Sequence, residues 1–88
     1  MILDVKKYML NNIELSKNEL KLILLLSNNI PISTKTCLKY LNYKTVTGLE
    51  NTIRKINRKI DKITKQRKLI KKIKGYGYRI LFDIYITY

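Results

Sequence analysis

Leu49, Ile53, Ile56, Ile60 and Ile63 recur at steps of four, three, four and three. Such steps keep apolar side chains on one side of an α-helix, whereas a strand would scatter them over both faces. The stretch therefore predicts one long amphipathic helix whose single stripe must be buried. Arg54, Lys55, Arg58, Lys59 and Lys62 fill its remaining faces. The spacing also fits a short coiled-coil seam, but the chain offers no matching partner stripe. A stripe facing the chain's own core, with a basic face outward, is the simpler reading.

A chain of 88 residues has room for one modest core, so residues 1–88 are expected to form a single domain. At 45% hydrophobic and 28% charged, the composition is globular. The longest unbroken apolar run, Leu22 to Leu26, is far too short to span a bilayer. The opening Met1-Ile2-Leu3-Asp4 lacks the basic-then-apolar pattern of a secretory leader. A cytoplasmic protein with no membrane partner is expected. There is no His, and Cys37 is the only cysteine, which argues against imidazole catalysis, a zinc cage or an internal disulfide. The six carboxylates, Asp4, Glu14, Glu19, Glu50, Asp61 and Asp83, are scattered, with no obvious acid/base pair. A non-enzymatic binding protein is expected, without a cofactor, a metal or an evident small-molecule ligand.

The net charge of +13 is unevenly placed. Residues 1–50 hold seven Lys against four acids, a net +3, while residues 51–82 hold twelve Lys and Arg against Asp61 alone, a net +11. A solvated surface normally mixes both signs. A one-signed half points to a polyanionic partner and places its surface in the C-terminal half.

Residues 2–8 alternate loosely and read as a strand. Asn11-Asn12, between Tyr8-Met9-Leu10 and Ile13-Glu14-Leu15, reads as a tight hairpin turn. Ser16-Lys17-Asn18-Glu19 is a capping box that starts helix one, expected over Leu20 to about Ser27 and stopped by Asn28-Asn29. Ile30-Pro31-Ile32 reads as an extended connector. Ser33 or Thr34 caps helix two, whose inner face carries Cys37, Leu38 and Leu41, and residues 42–46 form a loop. Cys37 reads as a small buried hydrophobe. After helix three, Leu69 to Lys74 and Tyr78 to Phe82 flank Gly75-Tyr76-Gly77, which marks a hairpin. The order is strands, three helices, hairpin. That α+β order, in a small basic chain, predicts a winged helix-turn-helix, with helices two and three as the helix-turn-helix and the hairpin as the wing.

Four stretches resemble the OmpR/PhoB-type winged-helix DNA-binding domain, the effector module of bacterial response regulators. Leu15-Ser16-Lys17-Asn18-Glu19-Leu20 is similar to the family's opening of helix one. Ile32 to Leu38 is similar to its start of helix two. Leu49-Glu50, Ile53, Ile56 and Lys59-Ile60 follow its recognition-helix spacing, and Ile70-Lys71-Lys72-Ile73-Lys74-Gly75-Tyr76-Gly77-Tyr78-Arg79-Ile80 is similar to its wing. The resemblance covers roughly residues 13–82. It departs at Asn57, where the family usually has Arg, at Asn42, where a Trp commonly ends helix two, and at Lys72 and Lys74, which replace Thr and Arg. The N-terminal sheet, four strands in the family, has room here for about two. A stand-alone effector module without a receiver domain is expected, and the tail from Asp83 to Tyr88 runs past the family's usual end.

The resemblance implies a sequence-specific double-stranded DNA-binding protein that reads repeated sites. Helix three would enter the major groove, presenting Thr47, Asn51, Thr52, Arg54, Lys55 and Arg58. Asn51 matches the edge of adenine and Arg54 or Arg58 that of guanine, although most cations contact phosphate only. Thr47 is either such a contact or a helix cap. In the wing, Lys74 stands where the family inserts Arg into the minor groove. Lys71, Lys72 and Arg79 would neighbour phosphates, and Tyr76 at the tip would stack, touch the backbone or stay exposed. Tyr78 is expected to pack at the wing's base, with Gly75 and Gly77 serving the turn. Ser33, Thr34 and Lys35 would meet phosphates through free N–H groups at the start of helix two. Transcription regulation is the expected outcome. An accessory role at a plasmid or phage transfer origin or partition site, with a non-standard DNA-binding face, is the alternative, and the protein would be nucleoid- or plasmid-associated. Leu24, where the family commonly has a polar residue, and the alternating Ile80, Phe82, Ile84 and Ile86 are two candidate surfaces for a homodimer.

Overall fold

The structure is a computed structural model that describes residues 1–65 and 67–88. In chain order the elements are β1 (Ile2–Asp4), β2 (Met9–Leu10), β3 (Ile13–Glu14), α1 (Lys17–Leu26), β4 (Ile32–Ser33), α2 (Thr34–Leu41), α3 (Val46–Thr64), β5 (Ile70–Ile73), β6 (Gly77–Ile80) and β7 (Tyr85–Thr87).

Three hydroxyl side chains start the three helices. Ser16 Oγ accepts from the Glu19 N–H at 3.2 Å, and Glu19 Oε1 accepts from the Ser16 N–H at 2.7 Å. This capping box opens α1 immediately after Ser16, one turn earlier than the apolar run suggested. Ser33 Oγ accepts from the Thr36 N–H at 3.2 Å and opens α2, which Asn42 ends in the left-handed region at φ 59°. Thr45 Oγ1 accepts from the Gly48 N–H at 3.3 Å and opens α3. The cap of α3 is therefore Thr45, and Thr47 lies exposed in its first turn.

The expected strand over residues 2–8 ends at Asp4. There Asp4 Oδ1 accepts from the Lys7 N–H at 3.1 Å, the chain turns, and Tyr8 takes a φ of 55°. The Asn11-Asn12 turn forms as the sequence indicates, with Asn11 at φ 47° and its Oδ1 accepting from the Ile2 N–H at 2.8 Å. The sheet holds four strands in the order β3-β2-β1-β7, where about two were expected. One extra strand comes from the turn after Asp4, which separates β1 from β2, and the other from the tail, which returns as β7 and pairs in parallel with β1, Ile2 opposite Tyr85 and Leu3 opposite Ile86. Leu3 and Leu10 point to the core, and Ile13, Ile84 and Ile86 pack against it.

A second sheet of three strands has the order β4-β6-β5. Gly75 makes its hairpin turn at φ +75°. Gly77 serves a different purpose from the one the sequence suggested. It sits opposite Ser33 where β4 pairs with β6, and a Cβ there would lie 1.9 Å from the Ile32 carbonyl oxygen. Tyr78 is buried, as expected.

Helices and sheets share one core. Leu22, Ile23 and Leu26 of α1, Cys37 and Leu41 of α2, and Leu49, Ile53, Ile56 and Ile60 of α3 meet Leu69, Ile70 and Ile80. Burial pushes the Cys37 thiol up to about 11, so it remains a neutral, space-filling thiol at neutral pH. The stripe of α3 departs from expectation at its end. Ile63 is 39% exposed, because the helix outruns the core in its last turn. Thr64 is buried instead, and its hydroxyl donates to the carbonyls of Ile60 and Arg67, tying the helix end to the following chain. The fold is thus a compact α+β arrangement of three helices and two small sheets. Among the described residues, no helix is long and apolar enough to cross a membrane.

Candidate nucleic-acid interface

The exposed face of α3 carries Thr47, Asn51, Arg54, Lys55, Arg58 and Lys62. Arg54 Nη1 donates to Asn51 Oδ1 at 2.8 Å, so two of the expected base readers are held together one helical turn apart. Thr52 does not belong with them. At 7% exposed it lies in the stripe beside Leu49 and Ile56, as a 100° step per residue requires. Its hydroxyl donates to the Gly48 carbonyl at 3.1 Å and bonds the Tyr43 hydroxyl, which accepts from Asn18 Nδ2 at 3.0 Å. Thr52 thus anchors the start of α3 to the preceding loop and to α1.

Two further polar residues of α3 also serve the fold. Lys59 Nζ reaches Glu19 Oε1 at 2.7 Å and donates to the Glu14 carbonyl at 3.1 Å. Burial raises the Glu19 carboxyl, but Lys59 and the Ser16 N–H outweigh it and hold the group below its ordinary value. Asn57, the departure at a usual Arg position, uses both ends of its amide. Nδ2 donates to the Ile70 carbonyl at 3.1 Å and Oδ1 accepts from the Ile70 N–H at 2.9 Å. The amide behaves as an extra strand position, and it fixes the start of β5 against α3.

The hairpin divides its basic residues by strand alternation. Lys72 lies opposite Tyr78 on the side of α3, and Lys71 lies opposite Arg79 on the other side. Lys74 and Tyr76 are exposed at the tip. Arg79 is half-buried, and its Nε is buried without a hydrogen-bond partner. An open groove of about 270 Å³ runs between α3 and the hairpin, lined by Glu50, Ile53, Arg54, Asn57, Lys68, Lys72 and Tyr78. It continues past Arg54, Asn57 and Lys68 to Arg58, Asp61 and Arg67.

The start of α2 differs from the expectation of free N–H groups. The Thr34 N–H donates to the Tyr76 carbonyl at 3.0 Å, and the Thr36 N–H is taken by Ser33 Oγ. Ser33 Oγ also donates to Thr36 Oγ1 at 2.8 Å. These bonds hold the hairpin tip against α2, and Lys35 is left as the exposed cation there. Arg67 and Lys68 line the groove but lie outside the site that the sequence suggests. The signal for them is their place in the +11 half, between a helix and a hairpin that each carry cations.

Helix face, groove and hairpin belong to a small α+β fold whose groove gathers Arg54, Arg58, Arg67, Lys68 and Lys72 beside Glu50 and Asp61. Neither a protein-family model nor a curated protein sequence matches the chain.

Proposed function

We propose that the chain is a sequence-specific double-stranded DNA-binding protein of the winged helix-turn-helix kind, acting in transcription regulation. The observation that carries this reading is the convergence of Arg54 and Arg58 of α3 with Arg67, Lys68 and Lys72 along one open groove, beside the exposed Lys55 of α3 and Lys74 of the hairpin tip. From Thr47 to Lys62 the exposed face of α3 runs roughly 20 Å at about 1.5 Å per residue, long enough to cross a major groove about 12 Å wide. With α3 in the major groove, the hairpin tip carries Lys74 towards the flanking minor groove. Asn51 and Arg54 supply the edges for adenine and guanine, Lys55, Arg58, Lys71 and Lys72 face phosphates, and Lys35 adds a cation beside the tip.

Pairing of two copies fits the same reading. The +11 half repels its like, so a second copy must meet the chain elsewhere. Residues 1–15 and 81–88 hold only Lys6 and Lys7 against Asp4, Glu14 and Asp83. There the Tyr85 N–H donates to the Met1 carbonyl at 2.7 Å, and the Val5 N–H to the Thr87 carbonyl at 3.0 Å. In such a parallel ladder Ile86 turns its own N–H and C=O outward, which leaves β7 an open edge. Leu24 is half-buried against the core and offers less. Sedimentation at tens of micromolar should give a dimer for the natural chain and a monomer for Tyr85→Lys. A monomer for both sinks the pairing.

Footprinting on DNA flanking the protein's own gene, over a salt series, tests the main reading. A discrete, repeated protected site with steep salt dependence is expected. Uniform weak protection would refute sequence-specific reading.

A further inference from the structure

Arg67 and Lys68 lie between the two halves of the expected DNA surface, on the groove that joins them. Along that groove Arg54, Arg58, Arg67, Lys68 and Lys72 face two carboxylates, Glu50 and Asp61. Among the described residues the one ion pair is Lys59 with Glu19, so these cations are not neutralised by carboxylates within salt-bridge distance. The wall between them is rigid, since Asn57 has both ends of its amide engaged on Ile70. Arg67 is itself positioned. Its guanidinium stands 5.8 Å over the Phe82 ring, and its carbonyl accepts from the Thr64 hydroxyl.

A duplex adds a geometric requirement. The major and minor grooves are separated by a sugar–phosphate strand. If α3 occupies one groove and the hairpin tip the next, the intervening strand must cross between α3 and β5.

We infer that the groove between α3 and β5 seats that DNA strand, with Arg67 and Lys68 binding its phosphates without regard to sequence. This inference rests on the DNA-binding reading above and adds two residues that neither the helix pattern nor the hairpin pattern contains. Arg67 and Lys68 hold affinity, while Asn51 and Arg54 hold base preference.

The test uses the full chain on the duplex found by footprinting and on a scrambled duplex of equal length, over a salt series. Lys68→Gln removes an exposed cation that lines the groove, and Arg67→Gln removes the second. For each variant the slope of log affinity against log salt should fall by about 0.9 for every phosphate that the protein no longer neutralises. The ratio of affinities for the two duplexes should stay at the natural value. Lys68→Gln is the decisive variant, because Arg67→Gln also removes the packing on Phe82. If the natural chain binds its site and Lys68→Gln keeps the same slope, the strand does not lie in this groove and the DNA reading survives. A loss confined to the specific duplex would also overturn the inference, since it would make these residues base readers. Binding to double-stranded RNA as tight as to DNA would overturn it too, because the deep, narrow major groove of RNA does not admit α3. If the natural chain shows no duplex binding at any salt, the DNA reading itself falls.

Discussion

The four-stranded sheet β3-β2-β1-β7 and the three-stranded sheet β4-β6-β5 both lay one face on the same core, yet their free surfaces differ in charge. The chain around the first sheet, residues 1–15 and 81–88, carries two cations and three carboxylates. The segment that builds the hairpin, residues 67–79, carries six cations and no carboxylate. Backbone pairing is indifferent to this, because the ladder needs only N–H and C=O groups in register. Concentrated like charge opposes compactness. The hairpin is accordingly held by specific polar contacts from outside itself, Asn57 on Ile70 and Thr34 on Tyr76, whereas the first sheet is closed by its own tail. The basic sheet thus depends on its neighbours for rigidity, and the neutral sheet on the return of a distant strand.

The comparison breaks most severely at Gly77. In Gly77→Ala the new Cβ would lie 1.9 Å from the Ile32 carbonyl oxygen and 2.7 Å from Ser33 Cα, both backbone atoms that cannot rotate away. β4 must then leave β6. Overpacking of this kind costs about 1–3 kcal/mol and occasionally more, and the upper end is expected here. Thermal unfolding measures it, with the first sheet intact until the global transition. A melting temperature equal to that of the natural chain would show that β4 is not needed.

The difference in charge is tested by removing the same number of cations from each sheet's surroundings. Arg54→Ala with Lys72→Ala should lower duplex affinity by about 2–4 kcal/mol if Arg54 reads a base and Lys72 a phosphate. Lys6→Ala with Lys7→Ala removes equal charge beside the first sheet and should change affinity by less than about 0.5 kcal/mol at about 0.15 M salt, where the Debye length is about 8 Å. Equal losses in the two variants, by titration with labelled duplex, would mean that net charge and not the groove sets binding.

The sequence reveals the parts that repeat a local rule. The capping box at Ser16 and Glu19, the apolar steps of α3 and the two glycines of the hairpin each depend on residues within a few positions, and each leads to the right element. What stays hidden depends on residues far apart. β7 pairs with β1 across almost the whole chain, so the alternation of Ile84 and Ile86 does not say which strand it joins. The polarity of Thr52 suggests the outer face, but its position in the stripe prevails, and a partner at Tyr43 makes burial tolerable. Ile63 continues the stripe in the sequence, but helix length relative to the core decides its exposure. The basic half is visible in the charge count, whereas the groove that gathers Arg54, Arg67, Lys68 and Lys72 exists only after β5 has packed on α3.

Asn57 sharpens the claim that the basic sheet is held from outside. Asn57→Ala leaves the N–H and C=O of Ile70 without their amide partner, at about 1–3 kcal/mol for a buried polar group left unpaired. Asn57→Asp keeps the acceptor for the Ile70 N–H but sets a carboxylate oxygen against the Ile70 carbonyl, so it too should lower stability. Denaturant midpoints order the three proteins, and hydrogen exchange at Ile70 reports the site directly. Protection of the Ile70 amide that survives Asn57→Ala would show that the hairpin packs on α3 without this contact.

The smallest effect lies where the basic helix meets the neutral sheet. Lys59 of α3 bonds both Glu19 and the carbonyl of Glu14 in β3, so one ammonium links α3 to α1 and to the first sheet. Glu19 has a folded-state pKa below its ordinary value of 4.5. A carboxyl depressed by folding stabilises the fold in its charged form, and this contribution is fully present above the ordinary value. It is lost as pH falls through the lower, folded value, because protonation then removes the attraction to Lys59. Lys59 has 39% of its side chain exposed, so screening limits the contribution to about 1 kcal/mol or less. Unfolding free energy should therefore decline from about pH 4.5 downwards in the natural chain. The decline should be shallower in Glu19→Gln, which cannot titrate but keeps an amide oxygen for the Ser16 N–H. Identical acid slopes in the two proteins would place the sensitivity in other carboxylates. The link to the first sheet would then rest on the Lys59 bond to the Glu14 carbonyl.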